Sequence, residues 1–129
     1  MTTIQQRVVA AVIRDGDRFL ICQRPAHRRH GCLWEFPGGK CEAGETDAQA
    51  ITRELAEELG VEVSAVGDAL FAASDPDSSF VIAFLPVDIR GEPVCIEHAA
   101  LAWASRHEMT AYELAPSDAR FLNSLGLDE

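Results

Sequence analysis

The segment T-D-A-Q-A-I-T-R-E-L-A-E-E-L-G, residues 46–60, constrains the fold more than any other stretch. Thr46 and Gln49 stand at the spacing of a capping box, in which each side chain satisfies the other residue's free backbone amide. Gly60 supplies the residue that takes left-handed backbone just past the last turn. Between these marks Ala48, Ile51, Leu55 and Leu59 recur at helical spacing and predict an apolar stripe. A helix marked in this way must lay its stripe on something, and its flanks read as strands.

Residues 7–24 predict a hairpin, because two apolar runs flank Asp15-Gly16, a dipeptide suited to a tight turn. Residues 25–34 are basic and turn-rich and predict a loop. Pro37-Gly38-Gly39 breaks regular structure and leaves backbone groups free to face a ligand. After the helix, residues 62–74 and 79–89 read as strands, with Asp75-Pro76-Asp77 turning between them. Residues 90–93 make a second turn, 100–105 a short strand and 106–114 a weak helix. Pro116 and Ser117 at one end and Gly126 at the other bound a C-terminal helix carrying Phe121, Leu122 and Leu125. This order predicts an α/β chain, a mixed sheet with helices packed on it. The length of 129 residues, 47% of them hydrophobic, suits one domain over residues 1–129 with one core.

The formal net charge is -10, which argues against a protein that coats nucleic acid. A polyanionic small molecule remains open to such a chain if divalent cations stand between it and the protein. Cys22, Cys32, Cys41 and Cys95 form no C-x-x-C pair and read as reduced thiols of a cytoplasmic protein. The apolar run Val8–Ile13 is short and meets Arg14 and Asp15 at once, so neither a signal peptide nor a membrane span is expected.

Glu54, Glu57 and Glu58 stand at i, i+3 and i+4 and share one short arc of the helix. Like charges at this spacing destabilise a helix by about 0.2–0.5 kcal/mol per pair. A solvated acidic face is one account of them. The other is a hard-cation site, since carboxylate oxygens suit Mg²⁺ or Mn²⁺.

The surroundings favour the second account. Gly39, five residues, Glu45, seven residues, Arg53-Glu54-Leu55, one residue, Glu57-Glu58, one residue and Gly60-Val61 reproduce the complete Nudix box. The preceding L-W-E-F-P-G-G-K resembles the approach segment of the MutT-type subgroup, the nucleoside triphosphate pyrophosphohydrolases. The resemblance implies an α/β/α sandwich with the box as loop–helix–loop. It also implies Mg²⁺-dependent (or Mn²⁺-dependent) hydrolysis of a nucleoside triphosphate to monophosphate and pyrophosphate. Other nucleoside diphosphate derivatives, or nucleotide sensing without turnover, would use the same helix.

By the same resemblance Glu57 and Glu58 are metal ligands, joined by a backbone carbonyl at Gly38 or Gly39. Glu54 is either a ligand or the general base. Arg53 pairs with Glu45 and holds loop against helix. Glu97, six residues before Trp103, matches a glutamate that reaches the metal in MutT-type enzymes, whereas His98 reads as a loop histidine. Arg24 stands where that subgroup contacts its nucleotide. Arg24, His27, Arg28, Arg29 and His30 form a basic cluster suited to phosphates or base, Arg24 and Arg29 being the candidates for substrate contact. Glu35 and Phe36, in the approach segment, are further candidates. Phe36 and Phe80 could stack on a base, although aromatic residues at strand positions are more often core. Asp118 replaces the asparagine of the enzymes specific for oxidised guanine triphosphate. An ionised aspartate only accepts hydrogen bonds, which favours a base edge offering an amino group, such as that of cytosine. A protonated one could read another base.

Overall fold

The computed structural model describes residues 6–74 and 79–125. In chain order the strands and helices are β1 (Gln6–Val12), β2 (Arg14–Asp15), β3 (Arg18–Gln23), β4 (Trp34–Glu35), β5 (Gly38–Lys40), α1 (Asp47–Leu59), β6 (Glu62–Val66), β7 (Phe71–Ala73), β8 (Phe80–Arg90), β9 (Ala100–Ser105), α2 (Arg106–Met109) and α3 (Pro116–Ser124).

β1 lies at the centre of a mixed sheet, parallel to β8 from Gln6↔Phe80 to Val12↔Pro86 and antiparallel to β5. The longer β8 also pairs antiparallel with β7 near its start and with β6 near its end. In a second, antiparallel sheet β3 pairs with β2, β4 and β9. The mixed sheet and its helices agree with the α/β expectation.

The chain thus changes sheets after Val12, and the expected hairpin shrinks to its tip, where Arg14 pairs with Phe19 and Asp15 with Arg18. The reason lies in the apolar run. Val9, Ala11 and Ile13 enter one core with Ile51, Leu55 and Leu59, while Ala10 and Val12 enter another with Phe36, Phe84 and Phe121. A strand buried on both faces reads as a continuous apolar run and belongs inside a sheet, not at a hairpin edge.

Both marks of α1 hold. Thr46 and Gln49 exchange the two capping-box bonds, and Gly60 is left-handed at φ 66°. The buried side is rolled from the expected stripe: Ala48 is exposed, while Ala50 and Glu58 join Ile51, Leu55 and Leu59. The helix packs on β5 as well as on β1 and β6, which turns its acidic edge inward. Each of Ile51, Leu55 and Leu59 contributes about 1.5–3 kcal/mol by leaving water.

Residues 62–74, expected as one strand, form β6 and β7 with an interruption between them. The turn at Asp75-Pro76-Asp77 and the stop at Gly126 lie outside the described residues. α2 opens on a second capping box, Ser105 with Glu108. Phe121 and Leu122 bury α3 against the second core. No helix among the described residues is long and apolar enough to cross a membrane.

Candidate active site

A pocket of about 750 Å³ opens between α1, the Gly38–Lys40 strand, the basic loop and the start of α3. The expected residues Arg24, Arg28, Arg29, His30, Glu35, Gly38, Gly39, Glu54, Glu57, Glu58, Glu97 and Asp118 all line it, and His27 does not. Three physical devices bring them together.

The first is the paired glycine of β5. A side chain at Gly38 would begin 2.0 Å from the Val9 carbonyl oxygen, so only glycine lets β5 lie against β1 here. A side chain at Gly39 would begin 2.4 Å from Glu54 Oε2. The bare backbone at Gly39 therefore makes room for the Glu54 carboxylate.

The second is Arg53. Its Nε and Nη2 donate to the two oxygens of Glu45 at 2.8 and 2.9 Å, and Nη1 donates to Glu54 Oε1 at 2.7 Å. Nη2 also reaches the Lys40 carbonyl at 3.0 Å. The planar fork thus pins the loop before α1 to the helix and holds Glu54 at its inner edge. The Arg53 bonds hold the Glu45 carboxyl down at about 2, and the same bonds raise Arg53 above its ordinary value.

The third is the loop ahead of β9. The Ile96 and Val94 amides donate to the Glu58 and Leu59 carbonyls, which the end of the helix leaves free. This docking carries Glu97 to the acidic side of α1, where it remains exposed.

Glu58 is only 5% exposed and accepts the Gly38 amide hydrogen at 3.3 Å. Burial, then the hydrogen bond and charge of neighbouring Glu54, push its carboxyl up to about 10. Glu57, with its side chain 53% exposed, faces the mouth of the pocket. Among the described residues no three His, Cys, Asp or Glu side chains already converge as a closed metal cage. The donor set nonetheless fits a hard cation. Glu58 is buried beside Glu54, and a divalent ion held by carboxylates and carbonyls would offset their repulsion. An all-oxygen, open-sided arrangement of this type suits a hard divalent cation.

On the opposite wall Asp118 Oδ1 accepts the Phe36 amide hydrogen at 2.8 Å. Bonds from the Trp34 and Ala115 amides to the Glu113 and Trp34 carbonyls tie the entry of α3 to β4, which sets this contact. Desolvation raises the Asp118 carboxyl to about 8. Phe36 is 3% exposed, and its ring meets Phe19, Phe84 and Phe121 edge-on at 5.3–6.2 Å. This corrects the expectation of a stacking ring at Phe36: its ring belongs to the buried aromatic core. Phe80, beneath the Lys40 ammonium at 5.1 Å, keeps a ring at the pocket wall.

The NUDIX domain model matches residues 4–125. The chain belongs to the NUDIX family of hydrolases. Within the family it is 41% identical over 120 residues to a CTP pyrophosphohydrolase of Escherichia coli, covering 91% of this chain and 88% of that one. It is 37% identical to a putative 8-oxo-dGTP diphosphatase 2 of Mycobacterium tuberculosis, covering 95% of this chain and 89% of the relative. The crystal structure of a MutT NUDIX hydrolase from Burkholderia pseudomallei superposes with a TM-score of 0.83 at 25% identity, over 92% of this chain and 95% of that one. NUDIX hydrolases generally use a divalent metal.

His98, expected as a loop histidine, lines the pocket. Its side chain is 7% exposed, and Nε2 lies 3.0 Å from Glu35 Oε2. Nothing in its local sequence distinguishes it from a surface loop histidine; its partner Glu35 lies 63 positions away.

Proposed function

We propose that this NUDIX chain, acting as one domain, hydrolyses a nucleoside triphosphate to the monophosphate and pyrophosphate with Mg²⁺, and that cytosine triphosphates are its preferred class. The observation that carries the hydrolase reading is the burial of Glu58 beside Glu54 and Gly38, facing a basic wall across one pocket. Solvated acids would not be sunk at 5% exposure.

Glu57, Glu58, a carbonyl at Gly38 or Gly39, and Glu97 would hold the ion, with Mn²⁺ able to replace Mg²⁺. The bound ion would neutralise pyrophosphate charge and make water nucleophilic near neutral pH. Glu54, held by Arg53, either joins the ligands or takes the proton of the attacking water. Arg24, Arg28 and Arg29 face the phosphates or the base from the opposite wall.

Support for cytosine comes from Asp118 and from the relative named CTP pyrophosphohydrolase. With its proton kept up to about pH 8, Asp118 offers one donor and one acceptor near neutrality. That pair complements the amino group and ring nitrogen of cytosine. It equally complements an oxidised guanine edge, the second reading, which the Mycobacterium tuberculosis relative favours.

A pyrophosphate-release screen over normal, methylated and oxidised nucleoside triphosphates tests both levels. Wild type should turn over a cytosine triphosphate faster than unmodified GTP, and Glu58→Gln should be nearly inactive. Equal rates for GTP would remove the base assignment. A fully active Glu58→Gln would remove the catalytic one.

A further inference from the structure

We propose that Glu35 is a positioning residue that links the nucleoside wall of the pocket to its metal wall. The inference rests on the assignment of this pocket as the active site. Glu35 Oε1 accepts from Arg24 Nη1 at 2.9 Å, while Oε2 lies 3.0 Å from His98 Nε2. The two oxygens of one carboxylate are thus taken by different partners, one at the start of the basic loop and one in the loop ahead of β9. Glu35 was expected to touch substrate; both of its oxygens already have protein partners.

Each partner is itself placed. Arg24 Nε donates to the Arg29 carbonyl at 2.7 Å, which fixes the guanidinium within the basic loop. His98 follows Glu97 directly, and its Nδ1 points 4.0 Å from Glu58 Oε1. That Nδ1 is buried without a hydrogen-bond partner among the described residues. A buried ring nitrogen with no partner is costly. It is retained here because the Glu35 bond orients the other edge of the ring and the ring packs beside the acids of α1. A carboxylate only accepts, so Nε2 carries the hydrogen in this pair.

The strand register explains why one residue can do this. Glu35 pairs with Cys22 across β4 and β3, and Gln23 pairs with Ala100 across β3 and β9. Arg24 follows β3 and His98 precedes β9 at the same end of the sheet, so both stand on the β3 side of Glu35, within reach of its two oxygens. Loss of the carboxylate frees Arg24 to swing toward its loop and frees the ring that braces Glu97. A single substitution should then disturb nucleoside selection and cation binding together. A residue that merely touched substrate would disturb only the first.

The test uses the full chain, Mn²⁺ as the probe ion and thermal denaturation to confirm folding. Glu35→Ala should weaken Mn²⁺ binding in the absence of nucleotide by about tenfold, and Arg24→Ala should weaken it in the same direction through the bridge. In pyrophosphate release, the costs of Arg24→Ala and His98→Ala should be non-additive by about threefold or more, and should become additive when Glu35→Ala is present. If Glu35→Ala does not fold, Glu35→Gln carries the same comparison, since it keeps the shape but cannot accept on both sides. Unchanged Mn²⁺ affinity with a raised KM alone, or coupling that persists without Glu35, would overturn the proposal. An active Glu58→Gln control would instead overturn the assignment of the site.

Discussion

The Asp118 carboxylate oxygen accepts the Phe36 amide hydrogen at 2.8 Å, joining the first turn of α3 to the segment that leads into Gly38. Burial of the Asp118 carboxyl, which this contact only partly offsets, has a cost with a definite sign. Unfolded, Asp118 loses its proton near 3.8; folded, it keeps it to about 8. Between those values the folded state binds more protons, so this residue's contribution to stability falls as pH rises, and it is flat above pH 8. Asp118→Asn removes that fall. Denaturant midpoints of the two proteins should diverge in favour of the variant from pH 4 to 8. Parallel curves would show that Asp118 ionises freely in the fold. The ranking of base substrates should also shift in Asp118→Asn, and an unchanged ranking would remove Asp118 from base recognition.

Arg53 grips both oxygens of Glu45 and one of Glu54. Lysine has one charged nitrogen and cannot span them. Arg53→Lys should lower kcat by about tenfold or more through displacement of Glu54. The Glu45 side of the same contact predicts an acid response. Glu45 titrates at about 2 in the fold and near 4.5 outside it, so its contribution is present above pH 4.5 and lost as pH falls toward 2. Acid titration of Glu45→Gln against wild type measures that loss.

The two glycines of β5 should fail differently. Gly38→Ala drives a methyl into the Val9 carbonyl, 2.0 Å away, and should destabilise the fold by about 1–3 kcal/mol. Gly39→Ala meets the movable end of Glu54 at 2.4 Å and should cost activity more than stability. Melting temperatures and kcat measured on both variants separate the two. A Gly39→Ala protein of normal activity would show that Glu54 need not sit against the loop.

Phe36 and Phe80 divide the aromatic roles. Phe36→Ala should destabilise the protein by about 3–5 kcal/mol, whereas Phe36→Leu should fold and leave KM near its wild-type value. Phe80→Leu should raise KM if its ring meets the base. A large KM effect from Phe36→Leu would return that ring to the substrate.

What the sequence made legible was local. Thr46, Gln49 and Gly60 define α1 within one segment, and the spacing of Glu54, Glu57 and Glu58 defines a shared arc without reference to the rest of the chain. The fork of Arg53 on Glu45 spans only eight positions. The less legible features depend on distant partners. Val8–Ile13 shows only that it is apolar; its place between β5 and β8 depends on residues far along the chain. The roll of α1 that exposes Ala48 and buries Ala50 is set by β5, not by the helix period. The Glu35–His98 and Phe36–Asp118 contacts join positions 63 and 82 apart, and no local pattern encodes them.

In the proposed function Glu57 and Glu58 of α1 hold a divalent cation. Calorimetric titration of Mn²⁺ into nucleotide-free protein measures that role without substrate. Wild type should bind the ion, and Glu57→Gln and Glu58→Gln should each weaken binding by about tenfold or more while melting as cooperatively as wild type. Equal binding by all three proteins would place the ion elsewhere and remove Glu57 and Glu58 from the metal site.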